Sequence, residues 1–196
     1  VHGANRLSGG ALTQCIVQGA RAGVAASDYA AKSAKPDLDW EQVEACREWA
    51  FRPLERQEGT SPMELRDKVT EFAAAHTGPV RDHEILQKAI DESDRLKRVE
   101  LPALYCKTKS PAYNLEWAHA IQTHNIVQVM EVIAHSAIVV TNSRGSHYRR
   151  DYPETDNDNW IKSVVAKQVD GRCEVRLEPV NITSITPPKG RRPYPG

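Results

Sequence analysis

The sequence lacks a net charge, a long apolar run and a signal-peptide pattern, and each absence excludes a class of protein. Its 26 basic side chains balance its 26 acidic ones, so nothing indicates the basic surface typical of nucleic-acid-binding proteins. No apolar run approaches the roughly 20 residues that span a bilayer. We therefore expect neither a nucleic-acid partner nor direct membrane insertion.

Cysteine motifs and the dinucleotide fingerprint are absent as well. The four cysteines (Cys15, Cys46, Cys106 and Cys173) are scattered without a CxxC pair, so we expect free thiols rather than a zinc site or a cysteine-bound cluster. No strand followed by GxGxxG occurs. The chain begins with Val1, inside a motif, and we infer that it is the C-terminal part of a longer polypeptide.

The first twelve residues read VHGANRLSGGAL and place one arginine, Arg6, among small residues just before a predicted helix. A helix N-terminus presents unpaired N–H groups and a partial positive charge. Arginine has a planar fork that suits a carboxylate. The stretch could therefore bind an anion or the edge of a flat cofactor. A glycine-rich turn, a helix cap and a surface arginine explain the same residues.

Helical periodicity dominates the rest of the first 140 residues. It predicts helices over residues 11–34, 39–56, 62–78, 82–98 and 115–140, joined by short loops. The last helix is apolar nearly all round, with Val129 and Val132 widening its main stripe, and this pattern predicts a place at the centre of a bundle. Its histidines, His119, His124 and His135, lack the ligand spacing of a metal site, so we expect them to be structural.

A polar, arginine-rich segment, TNSRGSHYRRDYP at residues 141–153, follows this helix. Composition alone allows a solvated turn. Alternating apolar residues then predict a β-hairpin from 162–169 and 173–180 across Asp170-Gly171. Taken alone, the Pro-rich end of the chain reads as a poorly ordered extension.

Two motifs resemble one known family. HGANRLSGGAL is similar to the HGANRLGGNSL segment of the flavoprotein subunits of succinate dehydrogenase and fumarate reductase. Residues 141–153 resemble that family's ESRGAHxRxDxP segment, 156–160 resemble the DDENW that follows it, and the tail is similar too. The resemblance implies a mainly α fold: an antiparallel helical bundle with a C-terminal β-hairpin and Pro-rich tail, preceded by the last helix of an FAD-binding domain. The implied boundaries are 1–36, 37–142 and 143–196.

The resemblance also implies a function, namely the C-terminal part of an FAD-dependent enzyme that transfers a hydride between flavin and succinate or fumarate. Arg6 would bind a carboxylate of the dicarboxylate substrate, and the backbone of Ala11 and Leu12 would contact the flavin. Gly10-Ala11 replaces the family's usual Asn-Ser, which removes side-chain hydrogen bonds but keeps the backbone N–H groups. The proton-transfer residues would lie upstream, so the fragment alone should be inactive and holds no expected catalytic residue or metal.

Further implications concern partners and the arginine-rich segment. The expected partners are upstream FAD-binding and capping domains and an iron–sulfur subunit, in a cytoplasmic protein that is peripheral at the cytoplasmic face of the membrane. Arg144, His147 and Arg149 would tie domains together, although Asn142 replaces a usual glutamate that could pair with Arg144. Another flavoenzyme of the superfamily (L-aspartate oxidase or adenylylsulfate reductase) and a non-catalytic helical docking module are the alternatives.

Overall fold

A computed structural model of the chain describes residues 10–194. It divides into two compact units, one up to Cys46 and one from Arg47 onward. The α-helices are α1 (Gly10–Lys32), α2 (Trp40–Glu55), α3 (Pro62–His76), α4 (His83–Arg95) and α5 (Leu115–Ile138). The strands are β1 (Val80–Arg81), β2 (Tyr148–Arg149), β3 (Glu154–Asp156), β4 (Lys162–Val169), β5 (Arg172–Pro179) and β6 (Arg191–Pro193).

The first unit is built on α1, which follows the predicted range of 11–34 closely. None of its residues is buried, and Leu12, Ile16 and Val24 are each at least 65% exposed. Small residues recur every four positions along the helix. A Cβ added at Gly19 or Gly23 would meet nothing within 4 Å, so this stripe is open along its length.

The second unit has its core where α3, α4 and α5 meet. Each helix begins at a residue whose side chain accepts a hydrogen bond from a first-turn backbone N–H: Ser61 from Glu64, Asp82 from Ile85 and Asn114 from Trp117. The buried apolar residues of these helices include Leu65, Val69, Leu86, Ala89, Ala120, Val127, Met130, Ala134 and Ala137. The predicted mainly α bundle with a C-terminal hairpin is confirmed.

The predicted fourth helix, 82–98, ends differently from the expectation. Regular α-helix stops at Arg95, a π-turn covers Leu96–Glu100, and a short 3₁₀ turn covers Leu101–Ala103. The change of pitch puts both Leu96 and Leu101 into the core, at 1% and 6% exposure. Pro102 has no N–H to donate, so the helix cannot extend further.

α5 packs on more elements than any other helix of the second unit, but it is not buried all round as its apolar composition predicts. One face is buried, while Val129 is 57% exposed and Val132 38% exposed. The elements that pack on α5 within the second unit include α3, α4, the 3₁₀ turn and the β4–β5 hairpin. The end of α2 contacts it too, through the ring pairs Trp49–His124 and Phe51–Trp117.

The strands form three two-stranded ribbons. β1 and β2 are parallel, and β3 pairs with β6 in antiparallel register, with Asp156 opposite Arg191. β4 and β5 form the predicted hairpin, and Asp170 and Gly171 at its turn both have positive φ, as a type I′ turn requires. The β3–β6 pairing corrects the expectation of a poorly ordered tail, since residues 191–193 return to the body of the unit.

Candidate functional site

Two of the sequence-predicted site residues, Ala11 and Leu12, lie at the start of α1. Arg6 lies outside the described residues, so its role stays a prediction. Ala11 and Leu12 occupy the first turn of α1, where Ala11 is half-buried and Leu12 is 71% exposed. The first turn of a helix carries N–H groups without intrahelical partners. Both residues are therefore placed where a backbone contact to a ligand is possible, and that contact stays a prediction too.

The start of α1 carries no negative side chain. No acidic residue occurs in the first turn, so no carboxylate competes for the positive end of the helix dipole. The open stripe at Gly19 and Gly23 leaves room for close approach by another backbone or a ring. The contact of Ala11 and Leu12 with a flavin stays a prediction.

Arg149 is the centre of the arginine-rich segment. Its side chain is 1% exposed, and its Nη1 donates to the carbonyl oxygens of Ala137 (2.9 Å), Ile138 (3.1 Å) and Val140 (3.1 Å). These carbonyls belong to the C-terminal end of α5, where helices leave acceptors unpaired. The positive charge also opposes the negative end of the helix dipole. The buried side chain of Arg149 therefore caps the C-terminal end of α5.

The same guanidinium forms a bidentate ion pair with Asp151. Nε and Nη2 donate to the two carboxylate oxygens at 2.7 and 2.6 Å. The backbone N–H of His83, in the first turn of α4, donates to the same carboxylate at 3.1 Å. The hydrogen bonds from Arg149 hold the pKa of Asp151 below its usual value. This chain of bonds joins the end of α5 to the start of α4.

Arg81 and His147 form a second joint. Arg81 donates to the carbonyls of Thr77 and Gly78, just beyond the end of α3, and its Nη1 lies 2.8 Å from Nδ1 of His147. A guanidinium can only donate, so Nδ1 accepts and the neutral ring carries its proton on Nε2. Burial, and then the charge of Arg81, lowers the pKa of His147 to about 4.

Arg144 lies at the base of a tight turn whose two backbone hydrogen bonds pair it with His147. Gly145 adopts φ of 58° in this turn. The Nη2 of Arg144 donates to Asn157 at 2.6 Å, and the hydroxyl of Tyr194 donates to the carbonyl of Gly145. Burial, and then the charge of Arg192, lowers the pKa of Arg144. Asn142 accepts from the backbone of Asp156 instead of pairing with Arg144.

The tail is held by the polar stretch at residues 156–159. Asp156 is buried and accepts hydrogen bonds from the backbone N–H groups of Asp158 and Asn159, and its other oxygen accepts from Arg191 at 3.0 Å. Asn157 donates to the carbonyl of Pro188 at 2.7 Å. The side chains of residues 156–158 thus orient the tail segment that precedes β6.

The histidines of α5 show no metal chemistry. His124 packs edge-on against Trp49, with ring centroids 5.1 Å apart, and burial lowers its pKa. Across residues 10–194, no group of three His, Cys, Asp or Glu side chains is arranged to hold a metal ion. Nor is any helix in that range long and apolar enough to cross a membrane. The four cysteines are free thiols, as predicted.

Sequence reasoning missed two charged residues that organise the second unit. Arg81 follows the Gly78-Pro79 break, and an arginine just beyond a helix end is a signal for a carbonyl cap that could have been read. Lys97 binds both carboxylate oxygens of Glu131, at 2.9 and 3.0 Å, and the carbonyl of Gly171 at the tip of the hairpin. Glu131 is 5% exposed and lies among the apolar residues of α5. The apolar pattern of the helix therefore gave no sign of its ion pair with Lys97.

Comparisons with known proteins agree with this architecture. A family model described as "Fumarate reductase flavoprotein C-term" matches residues 66–193. The Haemophilus influenzae fumarate reductase flavoprotein subunit is 31% identical over 96% of the chain, and the Coxiella burnetii succinate dehydrogenase flavoprotein subunit is 28% identical over 100% of it. The chain spans 32% of the length of each of these two relatives.

Solved structures show the same similarity. The chain matches the Mycobacterium smegmatis Sdh1 complex in the apo form with a TM-score of 0.83 and 28% identity, covering 94% of this chain and 32% of that one. It matches a quinol–fumarate reductase with menaquinol molecules with a TM-score of 0.81 and 27% identity, over 93% of this chain and 32% of the other.

Proposed function

This chain belongs to the family of fumarate reductase and succinate dehydrogenase flavoprotein subunits, and on that premise we propose that it is the C-terminal part of an FAD-dependent dicarboxylate oxidoreductase. The observation that carries the proposal is similarity over essentially the whole chain, which includes the arginine motif at its start. The proposed division is residues 1–36 as the end of an FAD-binding domain, 37–142 as a helical domain and 143–196 as the loop, hairpin and tail.

When bound, the flavin supplies hydride transfer to or from the substrate. Arg6 binds one carboxylate of succinate or fumarate through its planar fork and withdraws negative charge toward that end of the molecule. The N–H groups of Ala11 and Leu12 lie at the positive end of α1 and stabilise negative charge at the cofactor edge. Groups that move the substrate proton belong to upstream segments, so activity requires the longer polypeptide.

The proposal extends to assembly. An FAD-binding domain and a capping domain upstream complete the active site, and an iron–sulfur subunit exchanges electrons with the flavin. The enzyme is cytoplasmic and attaches to the cytoplasmic face of the membrane through its partner subunits. The names of the solved relatives, a Sdh1 complex and a quinol–fumarate reductase, support an assembled enzyme.

The test is Arg6→Lys in the longer polypeptide, with succinate oxidation and fumarate reduction as assays and visible absorption as the measure of bound FAD. We expect turnover to fall by about two to three orders of magnitude with FAD retained, because lysine cannot form the bidentate clamp. Arg21→Lys, on the exposed middle of α1, is the matched control and should leave turnover unchanged. Near-normal turnover of Arg6→Lys would show that Arg6 does not bind the substrate. Activity of the longer polypeptide on L-aspartate instead of succinate would support an L-aspartate oxidase.

A further inference from the structure

A pocket of about 530 Å³ opens beside β3 and is lined by the end of the arginine-rich segment and by residues that follow it. This volume lies within the roughly 300–1,000 Å³ of ordinary ligand sites. Its apolar lining comes from Tyr152, Pro153 and Trp160, and half of its polar lining residues are acidic. None of the residues assigned to dicarboxylate chemistry contributes to it.

The charge of the pocket is negative. Three carboxylates line it, on Asp151, Glu154 and Asp156, against one guanidinium, on Arg191. Asp151 is matched by the buried Arg149, and Asp156 is matched by Arg191. Glu154 is exposed, and within residues 10–194 its carboxylate makes no hydrogen bond or ion pair. Glu154 therefore adds to the pocket lining a carboxylate without an ion pair among the described residues, while Lys162 places a positive charge beside Trp160.

The aromatic side chains that line the pocket favour a positively charged ligand. Each of the two rings already has a cation near it: the guanidinium carbon of Arg149 lies 5.1 Å from the ring centroid of Tyr152, and Nζ of Lys162 lies 5.7 Å from that of Trp160. Tyr152 stays 43% exposed and Trp160 partly exposed, so ring surface remains for a further group. Aromatic faces attract cations, and arginine-like planes most of all.

We propose that this pocket binds an alkylguanidinium group, with Glu154 as its counter-charge and Trp160 as its stacking surface. The bound group carries its charge toward the one unpaired carboxylate and lays its flat face on an aromatic ring. A small guanidine and an arginine side chain of another protein both present this chemistry. The proposal does not depend on the proposed oxidoreductase function, because none of its residues takes part in that chemistry.

The experiment is a titration of the ¹⁵N-labelled chain with N-butylguanidinium, followed by the indole N–H signal of Trp160. That signal is identified as the one that disappears in Trp160→Phe. N-butylurea, which has the same shape without the charge, is titrated in parallel at the same ionic strength. We expect a saturable shift with butylguanidinium and binding at least fivefold weaker with butylurea.

Two matched variants locate the contact. Glu154→Gln keeps the size of the side chain and should weaken butylguanidinium binding by about fivefold. Glu174→Gln removes an exposed carboxylate from β5, away from the pocket lining, and should change nothing. The indole signals of Trp49 and Trp117 report the fold of each variant, and Glu154→Asp replaces Glu154→Gln if those signals move.

Three results would overturn the proposal: equal affinity for butylguanidinium and butylurea, equal weakening by the two glutamate variants, or no saturation at about 100 mM ligand. A third titration, with the capped peptide acetyl-Gly-Arg-Gly-amide, distinguishes a small guanidine from an arginine side chain of another protein. Binding as tight as that of butylguanidinium supports an arginine side chain of another protein. Exclusion of the peptide while butylguanidinium binds supports a small guanidine.

Discussion

Replacing Arg149 by leucine tests whether the arginine-rich segment is a structural joint. The substitution removes five described hydrogen bonds, three to carbonyls at the end of α5 and two to Asp151. Breaking a buried ion pair from one side costs about 3–5 kcal/mol. The side chain of Asp151 is 30% exposed, so water recovers part of its solvation. We therefore expect a loss of about 3–4 kcal/mol.

This loss is large against the 5–15 kcal/mol that ordinarily holds a domain together. It corresponds to a fall in Tm of roughly 6–15 °C for a unit of this size. The direct assay is urea unfolding followed by circular dichroism, with the free energy taken from the midpoint at unchanged slope. Arg149→Lys keeps the charge but cannot reach the carbonyls and the carboxylate together, so it should lose about half as much.

The neighbouring arginine provides the control. Arg150 pairs with Asp82 at 3.1 Å, but its side chain is 53% exposed, and exposed ion pairs contribute about 0–1 kcal/mol. Arg150→Leu should therefore cost less than about 1 kcal/mol. If Arg149→Leu unfolds within 1 kcal/mol of Arg150→Leu, the hydrogen bonds described for Arg149 do not hold α5 and α4 together, and the structural account of the segment is refuted.

Two further predictions follow from the backbone and from a buried ring. Gly59 has φ of 149°, and a Cβ there would lie 2.1 Å from the carbonyl oxygen of Ala103, so Gly59→Ala should cost more than about 3 kcal/mol in urea unfolding. Gly171→Ala, at φ of 76° with open space around it, should cost about 1–2 kcal/mol, and equal costs would contradict the steric argument. The pKa of His147, about 4 against 6.5 when unfolded, predicts that its contribution to stability is complete above pH 6.5 and is lost as pH falls to 4. The loss is at most about 3 kcal/mol, and less after solvent screening because the ring is only partly buried. His147→Asn keeps an acceptor for Arg81 without titrating, so its stability should fall less between pH 6.5 and pH 4, and an identical fall would exclude His147 as the source.

The parts of the fold that sequence predicts well are those that local chemistry decides. The side chains of Ser61, Asp82 and Asn114 cap their helices by accepting a hydrogen bond from the backbone N–H three residues later. Asp170 and Gly171 form the hairpin turn because both adopt positive φ. Such signals act within a few residues and are visible in the sequence. Helix bounds and the hairpin were accordingly close to the observed ones.

The failures share a different cause, which is dependence on distant residues. The exposure of Val129 and Val132 is decided by which elements pack on α5, not by the composition of α5 itself. The Pro-rich tail is held by Asp156, Asn157 and Asp158, some thirty residues before it. For the candidate site, the sequence motif identifies Arg6, Ala11 and Leu12 by type and order. The roles proposed for them stay predictions, to be tested in the longer polypeptide.

We expect Arg144, His147 and Arg149 to tie domains together. The hydrogen bonds that these side chains already make limit which of the three can contact another domain. The side chain of Arg149 is 1% exposed, and its guanidinium donates to carbonyls at the end of α5 and to Asp151. In His147, Nδ1 is hydrogen-bonded to Arg81 and Nε2 is buried. Arg149 therefore has no exposed donor, whereas Nε2 of His147 is a buried donor without a hydrogen-bond partner among the described residues. Arg144 uses one Nη2 bond, to Asn157, and none of its nitrogens is both buried and unpaired. Because an arginine has five N–H donors and one side-chain bond is described for Arg144, we expect Arg144 to be the main source of a charge-assisted tie to a segment outside residues 10–194.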